Sequence, residues 1–205
     1  MKKGPIPRTI LNRLYYRDKL SMKDIADGLE VTFPTIEYWM KKYNFVRRSN
    51  SNSAYCKLNP NGDPFNVKKR LKRKEKDLLL TGLMLYWAEG GKSIRSSLQL
   101  ANLDHRMLQV FVKFLREICR VHEKRLKLYV RVHKKFNKEK SREYWAKKLK
   151  MSPNRILVYT HTDARSKIHK QWSKYGIATL QMHNSRLRNW IDNTIEEHLG
   201  RLLNS

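Results

Sequence analysis

Beyond residue 75 the apolar positions switch repeatedly between a helical and a strand period, and that switching restricts the chain to a mixed architecture. Leu78, Leu79, Leu80, Gly82, Leu83, Leu85, Tyr86 and Ala88 form an apolar helical run that stops abruptly at Glu89, Gly90 and Gly91. SSLQLANLD then reads as a strand and turn, and Asp104 caps an amphipathic helix carrying Met107, Leu108, Phe111, Phe114, Leu115 and Ile118. RLKLYVRVH alternates strictly. Arg125, Lys127, Tyr129, Arg131 and His133 fall on one strand face, with Leu126, Leu128, Val130 and Val132 on the other. A short helix with Tyr144, Trp145 and Leu149 follows, then the strand-like RILVYTHT and GIATLQMH. A last helix holds Leu187, Trp190, Ile191, Ile195 and Leu199. The fold class predicted is α+β.

Residues 8–45 carry only helical periods. Ile10, Leu11 and Leu14 predict a first helix ending near Arg17 and Asp18; Ser21, with Asp24 three residues on, caps a short second helix through Ile25, Ala26 and Leu29. Val31 plugs a turn, Thr32 caps a third helix with Pro34 in its first turn, and Ile36, Trp39, Met40 and Tyr43 point to its core. Residues 47–66 are rich in Ser, Asn, Pro and Gly and read as a linker, leading into the basic run VKKRLKRKEK. The expected organisation is therefore a helical domain over 1–46, a basic linker over 47–74 and an α+β domain over 75–205.

Charge narrows the partner. Lys and Arg number 45 against 18 Asp and Glu, a formal net charge of +27 in 205 residues, while 40% hydrophobic residues suffice for a real core. Such a surface suits a polyanion. No run approaches the ~20 apolar residues of a membrane span, and the first seven residues lack the apolar core of a signal peptide. Cys56 and Cys119 make no metal-ligand pattern and read as free thiols of a reducing cytosol. A cytoplasmic, nucleoid-associated protein without a membrane partner is expected. Arg47, Arg48, Lys68, Lys69 and Arg70 are expected to track phosphates, as is Lys92 just past the apolar helix. The seven histidines, His105, His122, His133, His161, His169, His183 and His198, show no ligand spacing, and Trp87, Trp145, Trp172 and Trp190 read as core.

Two strings resemble known families. SMKDIADGLEVTFPTIEYWMKKYNF resembles the helix-turn-helix of resolvase-like and other prokaryotic regulators. The resemblance implies that the third helix enters the major groove of double-stranded DNA, with Phe33 at a thymine methyl, Thr35 and Tyr38 at base edges or phosphates, and Lys41 and Lys42 on phosphates. LTGLMLYWAEGG resembles the LAGLIDADG helix of homing endonucleases, Glu89 and Gly90 matching the closing Asp-Gly. That resemblance implies a saddle-shaped α/β domain over 75–203 and a homodimer packed through Gly82, Tyr86 and Ala88. It also implies a carboxylate at Glu89, beside Gly90, contributed to shared Mg²⁺ ions for strand cleavage. A single motif supplies one carboxylate per chain, so cutting needs two chains. Trp87 departs from the acid or small polar residue usual at its place. Two alternatives stand beside this metal-dependent endonuclease: a regulator that keeps the domain without cutting, and an RNA-binding, maturase-like protein.

Overall fold

A computed structural model describes residues 4–92, 97–162 and 173–204, so Ser96, His169 and Trp172 lie outside the described residues. The chain divides into two compact units, Met1–Asp63 and Pro64–Ser205. The mixed α+β class holds, with helices throughout and one four-stranded sheet in the second unit.

In the first unit, α1 (Arg8–Asn12) continues as a wider π-type turn over Arg13–Arg17, in which the Asp18 N–H donates to the Arg13 carbonyl at 2.9 Å. Next comes α2 (Met22–Gly28). Its capping box is complete: Ser21 Oγ accepts from the Asp24 N–H at 3.1 Å, and the Asp24 carboxylate accepts from the Ser21 N–H at 3.0 Å. The Ser21 hydroxyl, which donates to the same carboxylate at 2.6 Å, and the Ser21 N–H hold the Asp24 carboxyl below its ordinary value. The chain then turns through Glu30 at φ 50° into α3 (Phe33–Lys42), and the Val31 N–H closes that turn on the Ala26 carbonyl at 2.9 Å. Leu11, Tyr15, Ile25, Ala26, Ile36 and Met40 make the core, the small Ala26 letting α2 and α3 approach. The expected linker contains a helix, α4 (Asn50–Leu58). Ser49 nucleates it by accepting from the Asn52 N–H at 3.3 Å, so the Ser and Asn residues that suggested a loop include a helix cap.

The second unit opens with α5 (Arg73–Glu89), followed by β1 (Ser97–Asn102), α6 (His105–Glu117), β2 (Lys127–His133), α7 (Lys138–Leu149), β3 (Ile156–His161), β4 (Ile177–His183) and α8 (Ser185–Leu203). Strand order is β1-β4-β2-β3; β4 is antiparallel to both neighbours, and β2 and β3 run parallel, Tyr129 opposite Leu157 and Arg131 opposite Tyr159. The parallel pair requires a crossover, which α7 supplies. Leu98, Leu100, Leu128, Val130, Val132, Ile156, Val158, Ala178, Leu180 and Met182 point to one side and pack in one core with helical residues that include Leu83, Phe111, Phe114, Trp145, Leu187 and Ile191. Their strand neighbours face the opposite way, as the two-residue period demands. Two α7 donors, Ser141 Oγ at 2.6 Å and Trp145 Nε1 at 2.9 Å, meet on the Tyr175 carbonyl ahead of β4.

Three expectations about the apolar helix change. Gly82 faces α6 of its own chain: a methyl there would lie 2.3 Å from Phe114 Cγ. Tyr86 is buried, its ring stacked on Phe111 at 5.9 Å and 7°. Neither residue is therefore available on an intersubunit face. Trp87, read as core, is 47% exposed, although it stands one turn after buried Leu83.

Candidate nucleic-acid interface

Three places bear on binding, two of them faces and one a helix end. On α3, Ile36 and Met40 turn inward, so helical spacing sets Pro34, Tyr38, Lys41 and Lys42 outward. Tyr38 is 57% exposed and Phe33 is exposed at the leading end. Thr35 is half-buried, its Oγ1 sharing a 2.8 Å hydrogen bond with Thr32 Oγ1. Lys42 Nζ lies 4.8 Å from the Trp39 ring centre, a position that keeps its charge at the surface. Glu37 also stands on this helix, where it forms an ion pair with exposed Arg47; the charge pattern alone had not singled it out. Arg48 differs from its neighbour. Its guanidinium donates to the carbonyls of Lys19, at 3.0 Å, and Leu20, and lies 4.2 Å over the Tyr15 ring, so it fastens the chain after α3 to the first helical segment. The outward phosphate role expected of Arg48 is taken by these internal contacts.

The second face belongs to the sheet. Lys127, Tyr129, Arg131 and His133 all lie on the side of β2 away from the helices, with Lys127 and Arg131 exposed. Arg125 precedes the strand in a short 3₁₀ turn, Glu123–Arg125, and does not share that row. Register extends the face across neighbouring strands. Gln99, Gln181 and Lys127 form one cross-strand row; Ala101, Thr179, Tyr129 and Leu157 form the next; Ile177, Arg131 and Tyr159 form a third. His133 and His161 close the far end with ring centres 5.7 Å apart. No Asp or Glu occurs in any of the four strands. Tyr159, Thr179 and Gln181 were missed in sequence, and His161 and His183 were named there without a face, because alternation assigns residues to faces within a strand, whereas pairing decides which faces become one surface.

Of the remaining basic residues, Lys69, Arg70 and Lys92 are exposed. Lys68 is not a free cation: its Nζ meets Glu75 Oε1 at 2.5 Å and its N–H donates to the Ile118 carbonyl at 2.8 Å, so it anchors the start of this unit. That ion pair, with the Lys72 N–H, holds the Glu75 carboxyl below its ordinary value.

The helix end is the third place. Glu89 is the last residue of α5 and is exposed. Gly90 leaves the helix in an extended conformation with its N–H on the Tyr86 carbonyl at 2.8 Å; a Cβ there would lie 2.3 Å from that oxygen, so glycine is required. The Gly91 N–H then donates to the Gln99 carbonyl at 2.8 Å, which draws the chain along β1. Among the described residues no three His, Cys, Asp or Glu side chains gather into a group able to hold a metal ion. Glu89 by itself fits Mg²⁺ only in company with a second carboxylate and with phosphate oxygens, the manner in which this ion is commonly held. Tyr86, one turn back, has a buried hydroxyl without a hydrogen-bond partner among the described residues, and burial pushes its pKa up.

On α5, Leu80, Thr81, Trp87 and Ala88 are exposed, whereas half-buried Met84 packs against the core. Among the described residues no helix is long and apolar enough to cross a membrane. Both Cys56 and Cys119 are buried free thiols, and burial pushes the Cys119 thiol up. Compared with known proteins, the chain matches no family model, no curated protein and no solved structure.

Proposed function

We propose that this protein binds DNA site-specifically, reading double-stranded sequence with α3 and holding the polyanion on the open face of its sheet. The observation that carries the reading is the acid-free face itself, with Lys127 and Arg131 among tyrosine, histidine, threonine and glutamine side chains. Lysines and arginines there neutralise phosphates and release counterions, while neutral hydrogen-bonding groups approach base edges without repulsion. On α3, Phe33, Tyr38, Lys41 and Lys42 occupy the exposed side that a helix lying in the major groove would offer. A homodimer is part of the proposal. It forms through the exposed apolar residues of α5, Leu80, Trp87 and Ala88, because apolar side chains left open on one helix favour a partner.

A second reading, strand cleavage, is favoured by one observation: Glu89 is exposed at the end of that same helix. Two copies of α5 side by side would place two carboxylates near each other. A divalent ion such as Mg²⁺ bound between them would stabilise charge developing at a scissile phosphate. Glu89 would hold the ion, and the sheet face would hold the strands on either side.

The test is incubation of the purified chain with a DNA library in Mg²⁺ and in chelator, followed by sequencing of both bound and cut fragments. Selective, salt-sensitive binding that weakens when Lys127 and Arg131 are replaced by Ala supports the binding reading. Fragment ends that depend on Mg²⁺ and vanish in Glu89→Gln support cleavage. Binding that ignores salt sinks the polyanion reading.

A further inference from the structure

The open sheet face is not uniform. Toward β1 it is polar, with Gln99, Gln181 and Lys127 in one row. Toward β3 it is aromatic and apolar: Tyr129 pairs in register with Leu157, and Arg131 lies between Ile177 and Tyr159. The rings of Tyr129 and Tyr159 are nearly parallel, 9° apart, with centres separated by 6.3 Å. Tyr159 is 52% exposed although it is a large aromatic on a strand. Within a double helix the faces of the bases are covered by their neighbours, so parallel rings on an open sheet find no π-surface there. Unpaired bases have free faces, and stacking on aromatic side chains is the sequence-tolerant way to hold them.

We infer that the Tyr129–Tyr159 half of the sheet face binds unpaired bases of a single-stranded nucleic-acid segment by stacking, with Arg131 and Lys127 neutralising its phosphates. The inference rests on the nucleic-acid reading above and assigns this part of the surface a substrate that differs from the duplex read by α3. It also makes Tyr159, which carries no charge and drew no attention in sequence, a binding residue.

The probe is a short oligothymidylate containing one 2-aminopurine, whose fluorescence is quenched when the base stacks, used beside a labelled duplex. The protein is expected to bind the single strand and quench its fluorescence. Tyr129→Ala and Tyr159→Ala are each expected to weaken single-strand binding about tenfold and to relieve the quench. Tyr129→Phe and Tyr159→Phe, which keep the ring and lose the hydroxyl, should retain both; circular dichroism confirms that each variant is folded. Duplex binding with no single-strand binding, or a quench unchanged in the alanine variants, overturns this inference and leaves the duplex reading standing. Failure to bind either probe overturns the nucleic-acid reading, and the inference with it.

Discussion

Replacing Gly82 with Ala tests where the inner side of α5 points. The added methyl would lie 2.3 Å from Cγ and 2.7 Å from Cβ of Phe114, where carbon atoms ordinarily rest about 3.5–4.0 Å apart. Phe114 is fully buried and packed against Phe111 at 5.8 Å, and its Cβ and Cγ sit too close to its own backbone to swing aside. The two helices must therefore separate by roughly 1 Å or more, judged from that shortfall. Overpacking of this kind costs about 1–3 kcal/mol, partly offset by the ~1 kcal/mol by which Ala outranks Gly inside a helix. With an approach as close as 2.3 Å the cost falls at the upper end of that range, so a net loss of about 2 kcal/mol is expected, a drop of several degrees in melting temperature at about 2–4 °C per kcal/mol for a unit of this size. Thermal and urea unfolding followed by circular dichroism measure it. A Gly82→Ala protein as stable as the parent, or more stable, would refute the packing of α5 on α6. If that protein also became monomeric, the glycine would belong to an intersubunit face.

Duplex binding should weaken linearly in log–log form with salt, and the Lys41→Ala, Lys42→Ala double variant should reduce the slope by ~0.9 for each phosphate that is no longer neutralised, read from titrations at several salt concentrations. Arg48→Ala should leave that slope unchanged but destabilise the first unit by about 1–2 kcal/mol, because its hydrogen bonds and its stacking on Tyr15 go with the guanidinium; a changed slope with unchanged stability would return Arg48 to the DNA surface. Trp87→Glu should shift sedimentation toward monomer while circular dichroism shows the fold retained; a parent protein that is monomeric on DNA would remove the dimer from the proposal. The Asp104 carboxyl, held at about 2 by the Arg106 guanidinium and N–H, lies below its ordinary 3.8. Its contribution is therefore complete above the ordinary value and is lost as pH falls toward 2. Asp104→Asn, which keeps an N-cap oxygen, should flatten the acid limb of the stability profile between those values, and an unaltered limb would count against the pairing.

Periodicity in the chain itself determined the elements. Helix 105–117 follows from apolar residues recurring every three to four positions after an Asp cap, and strand 127–133 from strict alternation, because 3.6-residue and two-residue repeats are properties of the backbone. The same alternation placed Lys127, Tyr129, Arg131 and His133 together, and Glu89 was recognisable at its helix end because two glycines follow it. Packing decided what composition could not. Gly82 and Tyr86 look outward or inward only once α6 brings Phe111 and Phe114 against them, and Trp87, on the same apolar helix, is left 47% exposed. Lys68 and Arg48 belong to basic clusters in the sequence, yet the charge of each is engaged within the fold, with Glu75 and with the carbonyls of Lys19 and Leu20. Tyr159 reaches Tyr129 across 30 residues only because β2 and β3 pair in parallel register. A one-dimensional pattern specifies which way a side chain points from its own backbone; what it meets there depends on contacts between residues distant in sequence.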